Sequence, residues 1–227
     1  MYTILKNGFR FLLVIGCGIG LALLLGIFEG RFEANQLIFY TIQSNLLIFF
    51  GYLYLIAKSL VASVSTKRNV AFDFSPNVMG ALTLIIVITG LIYNFILVPS
   101  IPSTSEYAVN SLSDFLVHPY PAVMVFVDWL LFADTRPLRK NKTWTWAVLP
   151  LLYWVFTIIR AQIGGPIAGF DSYYPYFFID AIDLGWPRVF LNVIVLLIFF
   201  VIFGYLMKLI AWGTNRFKPA NANPRVY

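Results

Sequence analysis

A stretch near the start of the chain places hydroxyl and amide side chains in an otherwise apolar sequence. In FYTIQSNLLIFF, residues 39–50, Thr41, Ser44 and Asn45 follow the spacing i, i+3, i+4 and therefore share one helix face. A hydroxyl becomes a nucleophile when a base lies beside it. His118, the only histidine, is the natural base because an unperturbed imidazole titrates near pH 6.5. These residue types predict acyl-transfer chemistry, with Thr41 as nucleophile, Ser44 as the alternative nucleophile and Asn45 as a donor to an oxyanion.

The same side chains also have structural explanations, which the sequence leaves open. Thr, Ser and Asn in membrane helices commonly bond a backbone carbonyl or a neighbouring helix, and a single histidine can cap a helix end. His118 precedes Pro119. We therefore expect extended backbone at His118, immediately before the helix begins.

The composition predicts the environment in which these residues lie. Of the 227 residues, 60% are hydrophobic and 11% charged, whereas soluble chains carry about a quarter charged residues. We therefore predict an all-α integral membrane protein. It forms a single domain over residues 1–227, a bundle of six transmembrane helices. By length and hydropathy, the spans lie near 8–29, 36–62, 78–98, 116–133, 144–163 and 187–212.

The first apolar segment requires a separate decision, because basic residues precede it as in a signal peptide. It is too long for the apolar region of a signal peptide and ends without a small-residue cleavage site, so we expect a retained helix. A single cysteine, Cys17, excludes an internal disulfide. One histidine, no HExxH and no Gly-rich phosphate loop lead us to expect no metal and no cofactor.

The basic residues predict the orientation. With both termini cytoplasmic, thirteen basic residues lie inside and three outside, which is a strong positive-inside bias. The inside set is Lys6, Arg10, Lys58, Lys67, Arg68, Arg136, Arg139, Lys140, Lys142, Lys208, Arg216, Lys218 and Arg225, and the outside set is Arg31, Arg160 and Arg188. The net charge of +6 thus reflects topology and anionic inner lipids, and we expect no nucleic-acid binding.

Further polar residues fall near the outer ends of the predicted spans. Asn94, Arg160 and Asn192 would join Thr41, which lies roughly 7 Å below the start of its predicted span by helical rise. Because lipid exposure of polar groups is costly, we expect a polar cavity open to the outer face. The loops 99–115 and 164–186 would cover it.

Three charged residues have alternative roles in this scheme. Arg160 either holds a fatty carboxylate or pairs with Asp180 and Asp183. Asp128 lies about 15 Å along the helix from His118, too far to orient the imidazole. We expect Asp128 to be a structural residue that is ion-paired or protonated.

Several motifs together resemble a known family. FYTIQSNLL, TGLIYNF, HPYPAVMVFVDWLLF, LPLLYWVFTIIRAQIGG and YYPYFFIDAIDLGW occur in order over about residues 36–200 and are similar to the Pr-six-Pr bacterial membrane proteins, whose name carries no biochemical function. More remotely, the chain resembles the androgen-induced membrane hydrolases, which split fatty acid esters of hydroxy fatty acids with an intramembrane threonine and a histidine. That resemblance implies Thr41 and His118 as the catalytic pair. The similarity to the Pr-six-Pr proteins implies a location in the bacterial inner membrane.

Two functions follow as expectations. The first is an intramembrane hydrolase of lipid-like esters, with Thr41 and His118 as catalytic residues and with Asn45, Ser44, Asn94, Arg160, Asn192 and Asp180 as oxyanion- or substrate-binding residues. The second is a non-catalytic protein that binds or transports a lipid, a quinone or a small solute. Membrane lipids and a fatty-acyl substrate are the expected partners, and the sequence predicts no oligomeric state.

Overall fold

The computed structural model describes residues 1–101, 109, 111–135, 138, 143–169 and 172–214. All regular structure in these residues is helical, and six helices are long and apolar enough to cross a membrane. The predicted all-α fold with six such helices is therefore confirmed. The six apolar helices are Tyr2–Leu24, Tyr40–Thr66, Pro76–Ser100, Leu112–Phe132, Thr143–Ile163 and Trp186–Thr214.

Helices α1 (Tyr2–Leu24) and α2 (Tyr40–Thr66) differ from the predicted spans at their starts. Helix α1 starts six residues before the predicted 8, and it therefore includes both basic residues that precede the apolar run. Helix α2 starts four residues after the predicted 36, because a short 3-10 turn, Ala34–Ile38, comes before it. Thr41 therefore lies in the first turn of α2 rather than deeper in the helix.

The third span begins as α3 (Pro76–Ile92), where the Ser75 side chain accepts a hydrogen bond from the Val78 amide. This arrangement is the usual N-cap, with proline at the first helical position. At the other end the helix widens into a π-helical turn, Tyr93–Leu97, before its last turn. Such turns are rare and often occur at functional sites.

The fourth span consists of two helices, α4 (Leu112–Val117) and α5 (Pro119–Phe132). His118 joins them with φ −112° and ψ −77°. The extended backbone expected there is therefore wrong, because α4 already leads into the junction from the N-terminal side. Pro119 begins α5 at a position where a missing amide hydrogen is tolerated.

Close backbone contact holds α3 against this junction. A Cβ atom at Gly90 would lie 2.9 Å from the Cβ of Ala122 and 3.2 Å from the carbonyl oxygen of His118. No side chain fits there without displacing one of the helices. Gly90 therefore allows α3 to approach the residue that carries the imidazole.

The fifth span contains α6 (Val148–Ile163), and the sixth is α8 (Trp186–Thr214). Between them the chain folds back over the bundle through a 3-10 turn, Phe177–Ile179, and the short helix α7 (Ala181–Leu184). Residues 102–108 and 110 of the predicted loop 99–115, like residues 170 and 171 of the second loop, lie outside the described residues.

Deep in the bundle, away from Thr41, four charged groups form a buried network. The Arg10 guanidinium donates to both carboxylate oxygens of Asp128 at 2.8 and 2.9 Å, and to Asp73 at 2.6 Å. Lys6 contacts Asp73 at 2.7 Å, and the Tyr52 hydroxyl donates to Asp128 at 3.1 Å. Asp128 is paired, as expected. Lys6 and Arg10, which the sequence assigns to the cytoplasmic side, are both buried and paired with these acids.

Candidate functional site

The first turn of α2 and the α4–α5 junction bring Thr41 and His118 together. Thr41 Oγ1 lies 3.4 Å from Nε2 of His118, within the 5 Å expected from the sequence. Both residues are buried, with 7% and 5% of their surface exposed. This distance is that of a long hydrogen bond, which suits a resting nucleophile and base.

A carboxylate orients the other side of the imidazole. Nδ1 of His118 lies 2.9 Å from Oδ1 of Asp114 and 3.1 Å from the Asp114 backbone oxygen. A hydrogen on Nδ1 satisfies these acceptors and leaves the lone pair of Nε2 directed at Thr41. The hydroxyl, imidazole and carboxylate therefore follow the order of a nucleophile–base–acid triad.

Two local features fix the ring. Asp114 precedes His118 by four residues, so one helical turn places its carboxylate beside the imidazole, and Ser111 caps that turn by accepting from the Asp114 amide at 3.2 Å. Tyr93, in the π-helical turn, stacks on the imidazole with ring centroids 3.4 Å apart and an interplanar angle of 8°. Carboxylate and stacked ring together restrict His118 to one orientation.

Thr41 forms part of the wall of a cavity between the helices and the loop that follows α6. The polar cavity expected from the sequence is wrong in character, because the lining is almost entirely apolar. Loop residues Tyr176, Phe178 and Ile179 close one side, so the loop after α6 does cover the cavity. The remaining wall includes Tyr40, Thr89, Ile92, Leu97, Pro150, Leu151, Tyr153, Trp154, Val193, Leu196, Leu197 and Phe200.

The amide of Asn45 is fully used by the backbone. Its Nδ2 donates to the carbonyl oxygens of Thr41 and Val117, both at 2.8 Å, and its Oδ1 lies 3.4 Å from Cys17 Sγ. Both amide hydrogens are therefore occupied, and the position of Asn45 gives no support to the predicted role as oxyanion donor. Asn45 instead links α2 to Val117, the residue before His118, through a hydrogen bond to the Val117 carbonyl oxygen.

Ser44 does not reach the imidazole in this arrangement. Its hydroxyl donates to the Thr41 carbonyl oxygen at 3.0 Å and lies 3.3 Å from Oγ1 of Thr89. Thr89 in turn donates to the Ile85 carbonyl oxygen of its own helix. These contacts are packing contacts between α2 and α3, and Thr41 is the hydroxyl adjacent to the base.

The remaining polar candidates serve the loop and helix ends rather than the cavity. Arg160 donates to the carbonyl oxygens of Gly165 at 2.7 Å and Tyr173 at 3.0 Å, so neither of its predicted roles is supported. Asp180 caps α7, accepting from the Ile182 amide at 2.9 Å and from the Ser172 hydroxyl. No ion pair between Arg160 and Asp180 or Asp183 occurs among the described side chains.

Two asparagines also lie away from the cavity wall. Asn192 donates to the Phe178 carbonyl oxygen at 2.8 Å, which ties α8 to the covering loop. Asn94 is exposed and donates to the Gly90 carbonyl oxygen of its own helix. Neither amide is directed at Thr41, and the predicted substrate contacts of these two residues have no support in their positions.

Three functional candidates were missed by sequence reasoning. Asp114 was assigned to the outer loop, although its spacing of four from His118 was a usable signal. The stacking of Tyr93 depends on a π-helical turn that the sequence does not indicate. Tyr176 belongs to an aromatic loop, and only folding brings it to the wall of the cavity that Thr41 also lines.

Comparison with known proteins gives no further guidance: no family model matches the chain, and neither a curated protein nor a solved structure is significantly similar to it.

Proposed function

We propose that this chain is an intramembrane hydrolase of lipid-like esters, in which Thr41 is the nucleophile, His118 the general base and Asp114 the residue that orients His118. The observation that carries the proposal is the continuous series of contacts from Asp114 to His118 to Thr41, at 2.9 and 3.4 Å. These contacts lie in a buried site beside a cavity with an apolar lining.

The acylation step follows from this geometry. His118 Nε2 accepts the Thr41 proton as the oxygen attacks the ester carbonyl, and Asp114 stabilises the imidazolium. The tetrahedral intermediate collapses, the bond to the leaving alcohol breaks, and His118 returns the proton to that alcohol. The product is an ester of the acyl group with Thr41.

Deacylation repeats these roles with water. His118 removes a proton from a water molecule, whose oxygen attacks the acyl-threonine carbonyl. When this intermediate collapses, the proton passes to Thr41 Oγ1, and the fatty acid leaves. No oxidant, reductant or further group is consumed.

The cavity supports a fatty-acyl substrate. Its wall is built from aliphatic and aromatic side chains of α3, α6, α8 and the covering loop, with Thr41 at the edge. Burial of apolar surface stabilises a complex by about 25 cal/mol per Å². An alkyl chain therefore supplies binding energy while its ester carbon reaches Thr41.

The proposal includes the topology predicted from the sequence: an inner-membrane protein with both termini cytoplasmic and the site near the outer face. Lys6 and Arg10 no longer count toward the inside charge, because Asp73 and Asp128 neutralise them. Eleven basic residues inside against three outside still give the same orientation. Seven of the eleven lie outside the described residues: Arg136, Arg139, Lys140, Lys142, Arg216, Lys218 and Arg225.

The apolar character of the cavity also favours a second function. A protein that binds or carries a lipid, a quinone or a small apolar solute needs such a cavity and no nucleophile. In that case the contact between Thr41 and His118 serves only to hold α2 against the α4–α5 junction.

A covalent probe separates the two functions. Membranes containing the protein are treated with an alkyl fluorophosphonate, which reacts with activated hydroxyls. We expect labelling of the wild type and its loss in Thr41→Val, which keeps the shape of the side chain, and in His118→Ala. Thr41→Ser should keep part of the labelling, since it keeps a hydroxyl.

The matched control is Thr83→Val, because Thr83 is equally buried but donates to its own helix at the Met79 carbonyl oxygen. Labelling that persists in Thr41→Val would refute the hydrolase. Absence of labelling in a folded wild type that still binds fatty acid would favour the binding protein.

A further inference from the structure

Two residues in the wall of the cavity carry polar atoms that form no hydrogen bond within the described part of the protein. The atoms are the hydroxyl oxygen of Tyr40 and the indole nitrogen of Trp154, and both are buried. Tyr40 begins α2 and Trp154 lies in α6, so the two groups come from different helices. Both residues line the cavity that Thr41 also lines.

Buried donors without a partner need a physical explanation. Such a group destabilises the folded protein, because it has lost its hydrogen bonds to water and gained none in return. Buried phenol and indole groups therefore usually have a partner. Tyr40 and Trp154 place two exceptions in the wall of one cavity. A ligand in that cavity would supply what the protein does not.

Other hydroxyls of the same wall are bonded by the protein itself. The Tyr153 hydroxyl donates to the Ile38 carbonyl oxygen at 3.0 Å. The Thr89 hydroxyl donates to the Ile85 carbonyl oxygen at 2.7 Å. Water is a poor substitute for a ligand here, since an ordered water needs about two to four polar contacts and most of the lining is apolar.

Packing holds both donor rings in place. The Tyr40 ring lies against the Tyr153 ring, with centroids 4.8 Å apart. Trp154 meets the Phe190 ring edge-on at 5.6 Å and packs against the buried side chains of Ile179 and Val189. Neither ring turns toward another partner without breaking these contacts. A ligand therefore meets donors that are already ordered, which lowers the entropic cost of binding.

We propose that the cavity binds a lipid with acceptor oxygens, and that Tyr40 and Trp154 donate hydrogen bonds to those oxygens while the apolar wall holds the chain. The inference rests on the proposed function in taking this lipid as the substrate, whereas the binding itself requires no reaction at Thr41. Ester and keto groups fit this chemistry, because they accept hydrogen bonds and donate none. A plain hydrocarbon chain does not fit, because it leaves both donors unbonded.

The test compares two probes of equal chain length that are not hydrolysed: methyl undecyl ketone, which has an acceptor oxygen, and tridecane, which has none. A ligand of the folded state raises the midpoint of thermal denaturation. Titration of each probe against the full chain in detergent therefore gives its apparent affinity from the midpoint.

The variant removes both donors and keeps both shapes. It combines Tyr40→Phe with benzothienylalanine at position 154, which replaces the indole N–H by sulfur. We expect the apparent affinity for the ketone to fall about fivefold, as for the loss of one hydrogen bond, and that for tridecane to stay unchanged. Without a probe the midpoint should be unchanged or higher, because two unbonded buried donors have been removed.

The matched control is Tyr153→Phe, which removes a hydroxyl from the neighbouring ring in the same wall. Its midpoint without a probe should fall, because the Ile38 carbonyl oxygen loses its partner, and its affinities for the two probes should change equally. A variant at positions 40 and 154 that also loses stability without a probe would show that the protein already satisfies these groups, which overturns the inference.

The remaining outcomes separate the inference from the proposed function. Unchanged affinity for the ketone, or an equal loss for both probes, overturns the roles of Tyr40 and Trp154 and leaves a hydrolase that depends on Thr41 intact. A selective loss for the ketone in a protein that hydrolyses no ester supports the binding site and refutes the hydrolase.

Discussion

The most informative single change in the site is Asp114→Asn. The carboxylate lies 2.9 Å from His118 Nδ1, and both residues are buried. In the proposed mechanism a positive imidazolium forms at this position only in the transition state, so its interaction with the carboxylate would contribute to kcat rather than to binding.

The structure sets the size of the effect. With charge centres about 4 Å apart and an effective dielectric constant of about 20, the ion pair is worth about 4 kcal/mol. Since about 1.4 kcal/mol is a factor of ten in rate, kcat should fall about 10²- to 10³-fold. The loss does not extend further because the Asp114 backbone oxygen, 3.1 Å from Nδ1, still holds the ring in the active orientation.

The assay is the hydrolysis of a p-nitrophenyl fatty ester, with kcat and KM measured separately. Asp183→Asn is the control, since it removes one carboxylate from an exposed position on α7. A kcat within threefold of wild type, or an equal loss in Asp183→Asn, would show that Asp114 does not support the base.

Two further changes test the framework around the site. Arg10→Met leaves Asp128 without its buried partner and should cost about 3–5 kcal/mol of stability, measured as a lower midpoint of thermal denaturation in detergent. Adding Asp128→Asn should restore part of the lost stability. An unchanged midpoint in Arg10→Met would contradict the ion pair. Gly90→Ala forces the new Cβ against Ala122 and His118 and should lower both kcat and the midpoint of thermal denaturation. Gly8→Ala is the control and should change neither, because nothing lies within 4 Å of a Cβ at Gly8. Equal effects at the two glycines would refute the close contact.

The sequence predicted the parts of the site that depend on depth and helix face. The spacing of Thr41, Ser44 and Asn45 correctly indicated one buried face, and the composition correctly indicated six apolar helices. Neither argument depends on the details of loops, which is why both succeeded.

The missed features depend on local backbone geometry. The His118–Pro119 pair suggested extended chain, and this interpretation hid the short helix that carries Asp114. Arg160, Asn192 and Asp180 have the right chemistry for a ligand, but free carbonyl oxygens and amides at helix ends compete for them. The sequence alone does not reveal whether each of these side chains bonds a ligand or a backbone group.

The buried pairing of Arg10 has a consequence for the synthesis of the protein. Arg10 and Lys6 belong to α1 and are synthesised before both acids, since Asp73 and Asp128 follow 63 and 118 residues after Arg10. With the chain embedded as proposed, α1 carries two charges, each of which costs about 2.5–3.5 kcal/mol at the bilayer centre, until these acids are made. The first helix therefore reaches its final depth only after the fourth span has entered, and assembly of the bundle must wait for the middle of the chain.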